Sequence, residues 1–245
     1  MTQMAIIGGT GLTRLPDFVL IRREKIATPY GDPSTELVFG RLYQQDLVFL
    51  ASHGDTHTVP PHKINYRANV WALKQVGVTS VLAVAAVGGI SANMVPGKIV
   101  IPNQLIDYTH GRSQTFFEDH LSQVVHIDFT YPYSQWLREK LLNAAWVAGI
   151  NIIDGGVYGC AQGPRLETSA EIARMERDGC DLVGMTGMPE AALARELELD
   201  YSCCAVVANW AAGKSASLVT LAEIEANLSI GMADLTVLLK HLVQA

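Results

Sequence analysis

The 245-residue chain is poor in charge, in aromatic residues and in long apolar runs. Only 17% of its residues are charged, whereas 49% are hydrophobic, which excludes a disordered chain and predicts a large buried core. No apolar run reaches the roughly 18 residues that span a bilayer. The formal net charge is −6, and no Lys/Arg cluster supplies the basic footprint that nucleic-acid binding needs. We therefore expect neither a membrane nor a nucleic acid as partner.

Cysteine is also scarce, and no cysteine motif is present. Cys160, Cys180, Cys203 and Cys204 have no CxxC spacing and no histidine at metal-ligand distance, so we expect no metal site. Cys203 and Cys204 lie in an apolar strand-like run, where a thiol acts as a small hydrophobe. No basic and apolar leader precedes the first strand-like run, so we expect no signal peptide. These features predict a cytoplasmic protein with four buried thiols.

Short apolar runs alternate with stretches of helical periodicity along residues 1–245, without a linker or an internal repeat. This alternation predicts one α/β domain whose sheet is mostly covered on both faces. The predicted strands are Met4–Ile7, Glu36–Phe39, Leu47–Leu50, Ser80–Ala86, Lys98–Ile101, Gly156–Cys160, Asp181–Met185 and Ser202–Ala208. The predicted helices are Tyr66–Gln75, Tyr133–Ala148, Thr168–Arg177, Pro189–Leu197 and Leu221–Leu242.

Three features refine this outline. Thr168 with Glu171, and Thr220 with Glu223, have the spacing of a capping box. The polar, aperiodic stretch Asn103–Asp128 predicts a long loop, either functional or a surface excursion. The last helix has an apolar stripe that predicts packing against the core, formed by Leu221, Ile224, Leu228, Leu235, Leu238 and Leu242.

A glycine-rich turn, Gly8-Gly9-Thr10-Gly11, follows the first predicted strand. Glycines allow a tight turn whose successive N–H groups can bind an anion, and Thr10 adds a hydroxyl. The rival interpretation is a dinucleotide-binding fingerprint, but Arg14 stands where its third glycine is required. We interpret the turn as a phosphate loop, with a purely structural turn as the alternative.

Other polar motifs follow predicted strands at the edge where open α/β sheets bind ligands. Ser52-His53 ends one strand, and we expect the nearby His57 to be structural. Thr186 precedes a helix whose N-terminal N–H groups can cradle an anion. Glu167 either stabilises the N-terminus of the following helix through its negative charge or accepts a hydrogen bond from a ligand N–H. The Asn209 amide can both donate and accept hydrogen bonds. Together they predict a site for an anion and a hydrogen-bonding heterocycle.

Three longer motifs carry a resemblance that extends over essentially the whole chain. They are the runs Asn65–Lys74, Gly163–Arg165 and Met185–Glu190, in this order. With them the chain resembles the nucleoside phosphorylase family, in its 5′-methylthioadenosine phosphorylase branch and most closely the bacterial 5′-methylthioinosine phosphorylases. The resemblance implies a twisted mixed β-sheet surrounded by helices, a homotrimer, and phosphorolysis of a purine nucleoside. Inorganic phosphate would be the co-substrate, with no cofactor and no metal.

The resemblance also implies the roles of individual residues. The implied phosphate contacts are Thr10, Ser52, His53, Ala85, Ala86 and Thr186. The implied pentose and base contacts are Met185, Leu166, Glu167, Asn209, Trp210 and Ala211. Leu221 would wall the 5′-substituent pocket, and His126 would be lent by a neighbouring subunit. Catalysis would rest on His53 and Asn209, and specificity on Glu167, Asn209 and Leu221.

Two departures at the base set the expected specificity. The adenosine-type enzymes carry an aspartate where this chain has Asn209, and a second one where it has Ala211. An amide at position 209 can donate to N7 or to a 6-oxo oxygen. Glu167 can accept from the N1–H that 6-oxopurines have and adenine lacks. The pair favours a hypoxanthine base. Together with the resemblance this predicts methylthioinosine as the substrate, with methylthioadenosine or general purine nucleoside phosphorolysis as alternatives.

Two departures at the phosphate weaken the expected anion site. Family members usually carry arginine where this chain has Ser52, and Thr or Asn where it has Ala85. A charged hydrogen bond contributes roughly 1.5–3 kcal/mol, so its loss keeps two alternatives open. One is a hydrolytic nucleosidase, and the other is a catalytically impaired nucleoside-binding protein. Arg14 or Arg67 could supply the missing charge.

Overall fold

All eight predicted strands and all five predicted helices form. The computed structural model describes residues 3–9, 17–119, 122–216 and 220–244. The strands of its sheet are β1 (Gln3–Gly8), β2 (Phe18–Glu24), β3 (Leu37–Leu42), β4 (Gln45–Ala51), β5 (Val78–Gly89), β6 (Ile99–Ile101), β7 (Gln104–Asp107), β8 (Ile153–Asp154), β9 (Val157–Cys160), β10 (Leu182–Gly184) and β11 (Asp200–Trp210). The helices are α1 (Tyr66–Gln75), α2 (Gln135–Ala148), α3 (Ser169–Arg177), α4 (Gly187–Glu196) and α5 (Leu221–Gln244).

Three strands were missed by the sequence analysis, each for a physical reason. β2 is an edge strand that begins with the apolar run Phe18–Ile21 and ends in charged residues. It is exposed along almost its whole length, and its sequence shows no alternation between a buried and an exposed face. β7 lies inside the stretch Asn103–Asp128, which was expected to be a loop throughout. β8 has two residues, too few for a period. Such strands are defined by their pairing partners more than by their own residues.

Side-chain caps start two helices where the sequence predicts them. At α3 the Thr168 hydroxyl accepts from the N–H of Glu171 at 3.1 Å, and the Glu171 carboxylate accepts from the N–H of Thr168 at 2.7 Å. This confirms the predicted capping box. At α5 the Thr220 hydroxyl accepts from the N–H of Glu223 at 3.3 Å.

The sheet is mixed, and its centre is β5. β1, β4 and β11 all run in the same direction as β5, because β1 pairs in parallel with β4 and with β5, and β11 in parallel with β5. β10 runs antiparallel to β5, and β2, β3 and β4 form an antiparallel meander. The carboxyl ends of β1, β4 and β11 therefore meet at one edge, where α/β sheets bind ligands.

β5 changes partner halfway along one of its edges, and the change opens a crevice. β1 pairs with it as far as Ala83, and β10 pairs with it only at Gly88 and Gly89. In the described part of the chain, residues 84–87 have no strand partner on that edge. Just beyond the crevice, the main chain at Gly89 passes close to the main chain at Met94. Only glycine fits there, because a Cβ at position 89 would lie 2.0 Å from the carbonyl oxygen of Met94. The crevice exposes main-chain polar groups that would otherwise be paired.

Apolar side chains cover both faces of the sheet. On one face β5 and β11 pack with α1 and α4, through residues such as Leu73 and Leu193. On the other face α2 and α5 pack with each other and with β11, through Leu137, Leu141 and Leu238. The result is the single-domain α/β fold with a mixed sheet that the sequence predicts. Apolar burial of this kind contributes about 25 cal/mol per Å².

Two further observations concern the cysteine thiols and the length of the helices. All four cysteines are free and buried, as predicted. Among the helices in the described ranges, none is long and apolar enough to cross a membrane.

Candidate active site

The crevice beside β5 holds a cavity of about 670 Å³, a size typical of a small-molecule site. The residues after β1 and β4, the middle of β5 and the end of β11 line it. The loops before α3 and α4 and one face of α5 close it. Residues from distant parts of the sequence thus meet where parallel strands end.

The cavity brings together the residues expected to bind phosphate, except for one that lies outside the described residues. We name Ser52, His53, Ala85, Ala86 and Thr186 the anion set; all five line the cavity. Ser52 is buried, and its N–H donates to the carbonyl of Gly8 at 3.3 Å, which joins the ends of β4 and β1. Ala85 and Ala86 lie in the part of β5 that has no partner on the crevice edge. Thr10 belongs to the residues that the structure does not describe.

His53 has one ring nitrogen already occupied. Nδ1 donates to the carbonyl of Val59 at 2.8 Å, so Nε2 carries no hydrogen when the ring is neutral. The ring stacks on that of His57, with centroids 4.6 Å apart, and His57 also lines the cavity although we expected it to be structural. Burial lowers the pKa of His53; the Val59 carbonyl opposes this effect and the charge of His57 adds to it. A lowered pKa favours the neutral form of the ring.

Cationic side chains are missing from the described lining of the cavity, which contains neither lysine nor arginine. Arg67, a candidate to replace the missing arginine, instead pairs with Glu118 at 2.6 Å and lies 5.0 Å from the ring centre of Tyr30. Arg14 is outside the described residues. Within the described ranges no group of three or more His, Cys, Asp or Glu side chains could hold a metal ion.

Glu167 lies in the loop between β9 and α3 and lines the cavity. Its Oε1 is buried and has no hydrogen-bond partner. Burial, and to a smaller extent the charge of Glu171, raise the pKa of Glu167. A buried acceptor without a partner costs about 1–3 kcal/mol, which a ligand N–H can recover.

Asn209 is the last residue but one of β11, and a hydrogen bond to the main chain fixes its side-chain amide. Its Nδ2 donates to the carbonyl of Trp210 at 2.7 Å, which leaves the second N–H and Oδ1 for a ligand. Leu166 and Ala211 line the cavity beside it, and we name Leu166, Glu167, Asn209 and Ala211 the base set. Trp210 is not among the lining residues, so the structure does not bring this predicted contact into the site.

The remaining three predicted residues, Met185, His126 and Leu221, have three different outcomes. Met185, expected beneath the pentose, lines the cavity next to Thr186. His126 is exposed and does not line the cavity of its own chain. Leu221 begins α5, but its side chain is outside the described part of the structure.

An apolar wall of the cavity was missed as a site feature. Ile224, Leu228 and Met232 of α5 form it together with Val206 of β11. Ile224 and Leu228 belong to the stripe predicted to face the core. Leu235, Leu238 and Leu242 are buried in that core, whereas Leu228 both packs against it and lines the cavity. Hydrophobic periodicity shows that a helix face is covered, but it does not distinguish protein from ligand as the cover.

Comparison with known proteins identifies the family. A family model described as the Phosphorylase superfamily matches residues 3–244. The chain is 55% identical, over 100% of both proteins, to a "Probable S-methyl-5'-thioinosine phosphorylase" of Pseudomonas syringae. It is 44% identical to a 6-oxopurine nucleoside phosphorylase of Pyrococcus furiosus, over 91% of this chain and 85% of that one.

The fold is similar to that of a solved structure of the family. A methylthioadenosine phosphorylase from Schistosoma mansoni in complex with adenine superposes with a TM-score of 0.94 at 32% identity. The match covers 100% of this chain and 91% of the other. The chain therefore belongs to the phosphorylase superfamily, as an enzyme of the purine nucleoside phosphorylase type.

Proposed function

We propose that the protein catalyses the phosphorolysis of S-methyl-5′-thioinosine to hypoxanthine and 5-methylthioribose 1-phosphate, in purine and methylthio salvage. The observation that carries this proposal is the presence of Glu167 and Asn209 in one cavity. The 55% identical relative from Pseudomonas syringae bears the same activity in its name.

The hydrogen bonds of the base set fit a 6-oxopurine. N1 of hypoxanthine carries a hydrogen that the buried Oε1 of Glu167 can accept, whereas N1 of adenine offers a lone pair and leaves that oxygen unpaired. The free N–H of Asn209 can donate to N7 or to the 6-oxo oxygen. Glu167 therefore favours hypoxanthine over adenine as the base, and Asn209 can bind hypoxanthine at N7 or at its 6-oxo oxygen.

The chemistry of phosphorolysis needs charge stabilisation at two places. The C1′–N9 bond breaks as a phosphate oxygen bonds to C1′, and the purine leaves with the electron pair and takes up the proton that phosphate gives up. Positive charge develops on the pentose and negative charge on the purine. The anion set holds the phosphate against C1′, and Asn209 stabilises the negative purine at N7.

The wall of α5 supports a methylthio group at the 5′ position. Ile224, Leu228 and Met232 present only apolar side chains to the cavity. A thioether in such a pocket is preferred over a hydroxyl by roughly 1–3 kcal/mol. Inosine is therefore expected to be a poorer substrate than methylthioinosine.

We further propose a homotrimer that works in the cytoplasm, with phosphate as co-substrate and neither cofactor nor metal. The exposure of His126 away from its own cavity supports a role in the cavity of a neighbouring subunit. Four free buried thiols suit a reducing compartment. Sedimentation of the purified protein, with His126→Ala assayed beside it, tests the trimer and the shared residue.

The central experiment compares three nucleosides with and without phosphate. Methylthioinosine, inosine and methylthioadenosine are each incubated with the enzyme, and free base and sugar phosphate are measured. We expect strictly phosphate-dependent turnover, fastest with methylthioinosine. Equal efficiency on methylthioadenosine would contradict the role of Glu167, and equal efficiency on inosine would make the enzyme a general purine nucleoside phosphorylase.

A hydrolytic nucleosidase is the second candidate, because the described lining of the cavity contains no lysine or arginine to hold phosphate. In that case water replaces phosphate as the nucleophile at C1′. Equal turnover with and without phosphate, with free 5-methylthioribose as the product, would select it.

A further inference from the structure

A buried arginine anchors the segment Asn103–Asp128 to the rest of the molecule. Arg112 is 9% exposed, and the five N–H groups of its guanidinium have six acceptors within hydrogen-bond distance, none of them a carboxylate. Nη1 shares its two hydrogens among three of these acceptors. The acceptors are the Gln162 side chain, the Tyr66 hydroxyl and the carbonyls of Met185, Met188, Ala161 and Gln162. The cation is therefore used to hold main chain in place.

The four carbonyls belong to two segments that both line the cavity, namely the loop after β9 and the turn that leads from β10 into the first residues of α4. Nη1 binds Met185 at 2.9 Å and Met188 at 2.5 Å, at the two ends of the turn that carries Thr186. Nη2 binds Ala161 at 3.3 Å and Gln162 at 2.8 Å, at the start of the loop that carries Glu167. One guanidinium thus joins a loop of the anion set to a loop of the base set.

We propose that Arg112 is a positioning residue that fixes the distance between the two substrates, by holding the Thr186 loop and the Glu167 loop in one geometry. The identity of the two substrates rests on the proposed function. A guanidinium is a rigid planar fork, so acceptors on one nitrogen constrain those on the other. Phosphorolysis needs phosphate and purine on opposite sides of C1′, and a misplacement of about 1 Å can cost on the order of 100-fold in rate.

The chain offers a matched control in a second buried arginine. Arg138 is 6% exposed and donates to the carbonyls of Pro102 at 3.1 Å and Ile101 at 3.3 Å, and it also pairs with Asp154. It does not line the cavity, and neither do these partners. A lysine at either position keeps the charge and removes the fork.

The experiment measures kcat and both KM values for Arg112→Lys and Arg138→Lys with methylthioinosine and phosphate. We expect Arg112→Lys to raise the KM for both substrates and to lower kcat/KM by on the order of 100-fold. Arg138→Lys lowers the melting temperature but keeps the wild-type KM values. Unchanged KM values in Arg112→Lys, or the same rise in Arg138→Lys, would overturn the proposal.

A second pair of variants covers the case in which Arg112→Lys does not fold. The Tyr66 hydroxyl accepts from Arg112 at 3.1 Å and donates to the carbonyl of Pro61 at 3.0 Å, whereas the equally buried hydroxyl of Tyr133 has no partner. Tyr66→Phe should raise both KM values, by less than Arg112→Lys. Tyr133→Phe should not, and identical kinetics in the two variants would contradict the role of Arg112.

Hydrogen exchange separates this inference from the proposed function. In Arg112→Lys, amides in residues 161–168 and 185–190 should both exchange faster than in Arg138→Lys. Loosening of only one of these segments would refute the coupling. A wild type without phosphate-dependent turnover would instead refute the proposed function, and the exchange result would stand independently of it.

Discussion

The base set and the anion set share one cavity and are built in opposite ways. The base set contains a carboxylate with a buried, unpartnered oxygen at Glu167 and an amide fixed by a carbonyl at Asn209. The anion set contains two alanines, two hydroxyls and His53, whose Nδ1 is already bound to Val59. Directional buried groups reject the wrong base strongly, whereas small neutral groups hold an anion weakly. On the proposed function, we therefore expect substitutions in the base set to change base specificity and substitutions in the anion set to change phosphate affinity.

The largest expected effect comes from breaking the base set with Glu167→Met, which removes the acceptor and keeps the length of the side chain. The kcat/KM for methylthioinosine should fall by about 10- to 150-fold, since a charged hydrogen bond contributes roughly 1.5–3 kcal/mol. Methylthioadenosine, whose N1 has no hydrogen to donate, serves as the control and should lose little. An equal loss on both nucleosides would show that Glu167 supports the loop and does not select the base.

A tenfold effect is expected from strengthening the anion set with Ser52→Arg. If the added guanidinium clamps phosphate with about 1.4 kcal/mol, the half-saturating phosphate concentration falls by about tenfold. Ser52→Lys, a point charge without the fork, should gain less. The gain should shrink at high salt if the site is open to solvent. An unchanged phosphate dependence would mean that another cation already serves the site.

A smaller shift is expected from Asn209→Asp, which alters the base set without removing it. A carboxylic acid suits N7 beside a 6-amino group, so the ratio of kcat/KM values should move toward methylthioadenosine. The expected shift is about 2- to 10-fold, in line with about 0.5–1.5 kcal/mol for one neutral hydrogen bond. Competition between the two nucleosides in one assay measures it. A constant ratio would rule out Asn209 as a reader of the base.

The smallest expected effect is a pH dependence confined to the anion set. Sulfate carries no proton near neutral pH, so Nε2 of His53 can bond to it only when the ring is protonated, because Nδ1 is bound to Val59. Burial lowers the pKa of His53, so sulfate affinity should rise severalfold as the pH falls below about 6.5. Calorimetry measures the affinity, and His53→Asn is expected to abolish the rise. A pH-independent wild type would remove His53 from the anion set.

Most of the secondary structure could be predicted from the sequence because it depends on neighbours in the chain. The capping box of Thr168 and Glu171 joins residues three apart, and α1 has the predicted bounds. β2 was missed, because its short apolar run Phe18–Ile21 has no polar alternation and passes directly into charged residues; its pairing with β3 is its defining contact. Local sequence patterns therefore predict the fold class. They do not predict a strand that forms only because a partner strand pairs with it.

The polar half of the site could also be predicted, because Ser52, Glu167, Thr186 and Asn209 each follow a strand or precede a helix where the sequence marks it. The apolar half could not: Ile224 and Leu228 have the same pattern as the core positions further along α5. A periodic apolar stripe indicates only that a helix face is buried. Whether protein or a ligand buries it depends on what lies opposite that face.

The sequence by itself determined the fold class, the family resemblance and the chemical types available at the strand ends. Only the tertiary structure decided that β5 loses a partner between Ala83 and Gly88, that Arg67 pairs with Glu118, and that Arg112 joins two cavity loops. Arg112 is 73 residues from Met185 and 50 from Gln162, and a contact over such separations has no local signal in the chain. Buried polar groups must find partners wherever the fold places them, so an arginine in a polar loop becomes the link between two segments that line the cavity.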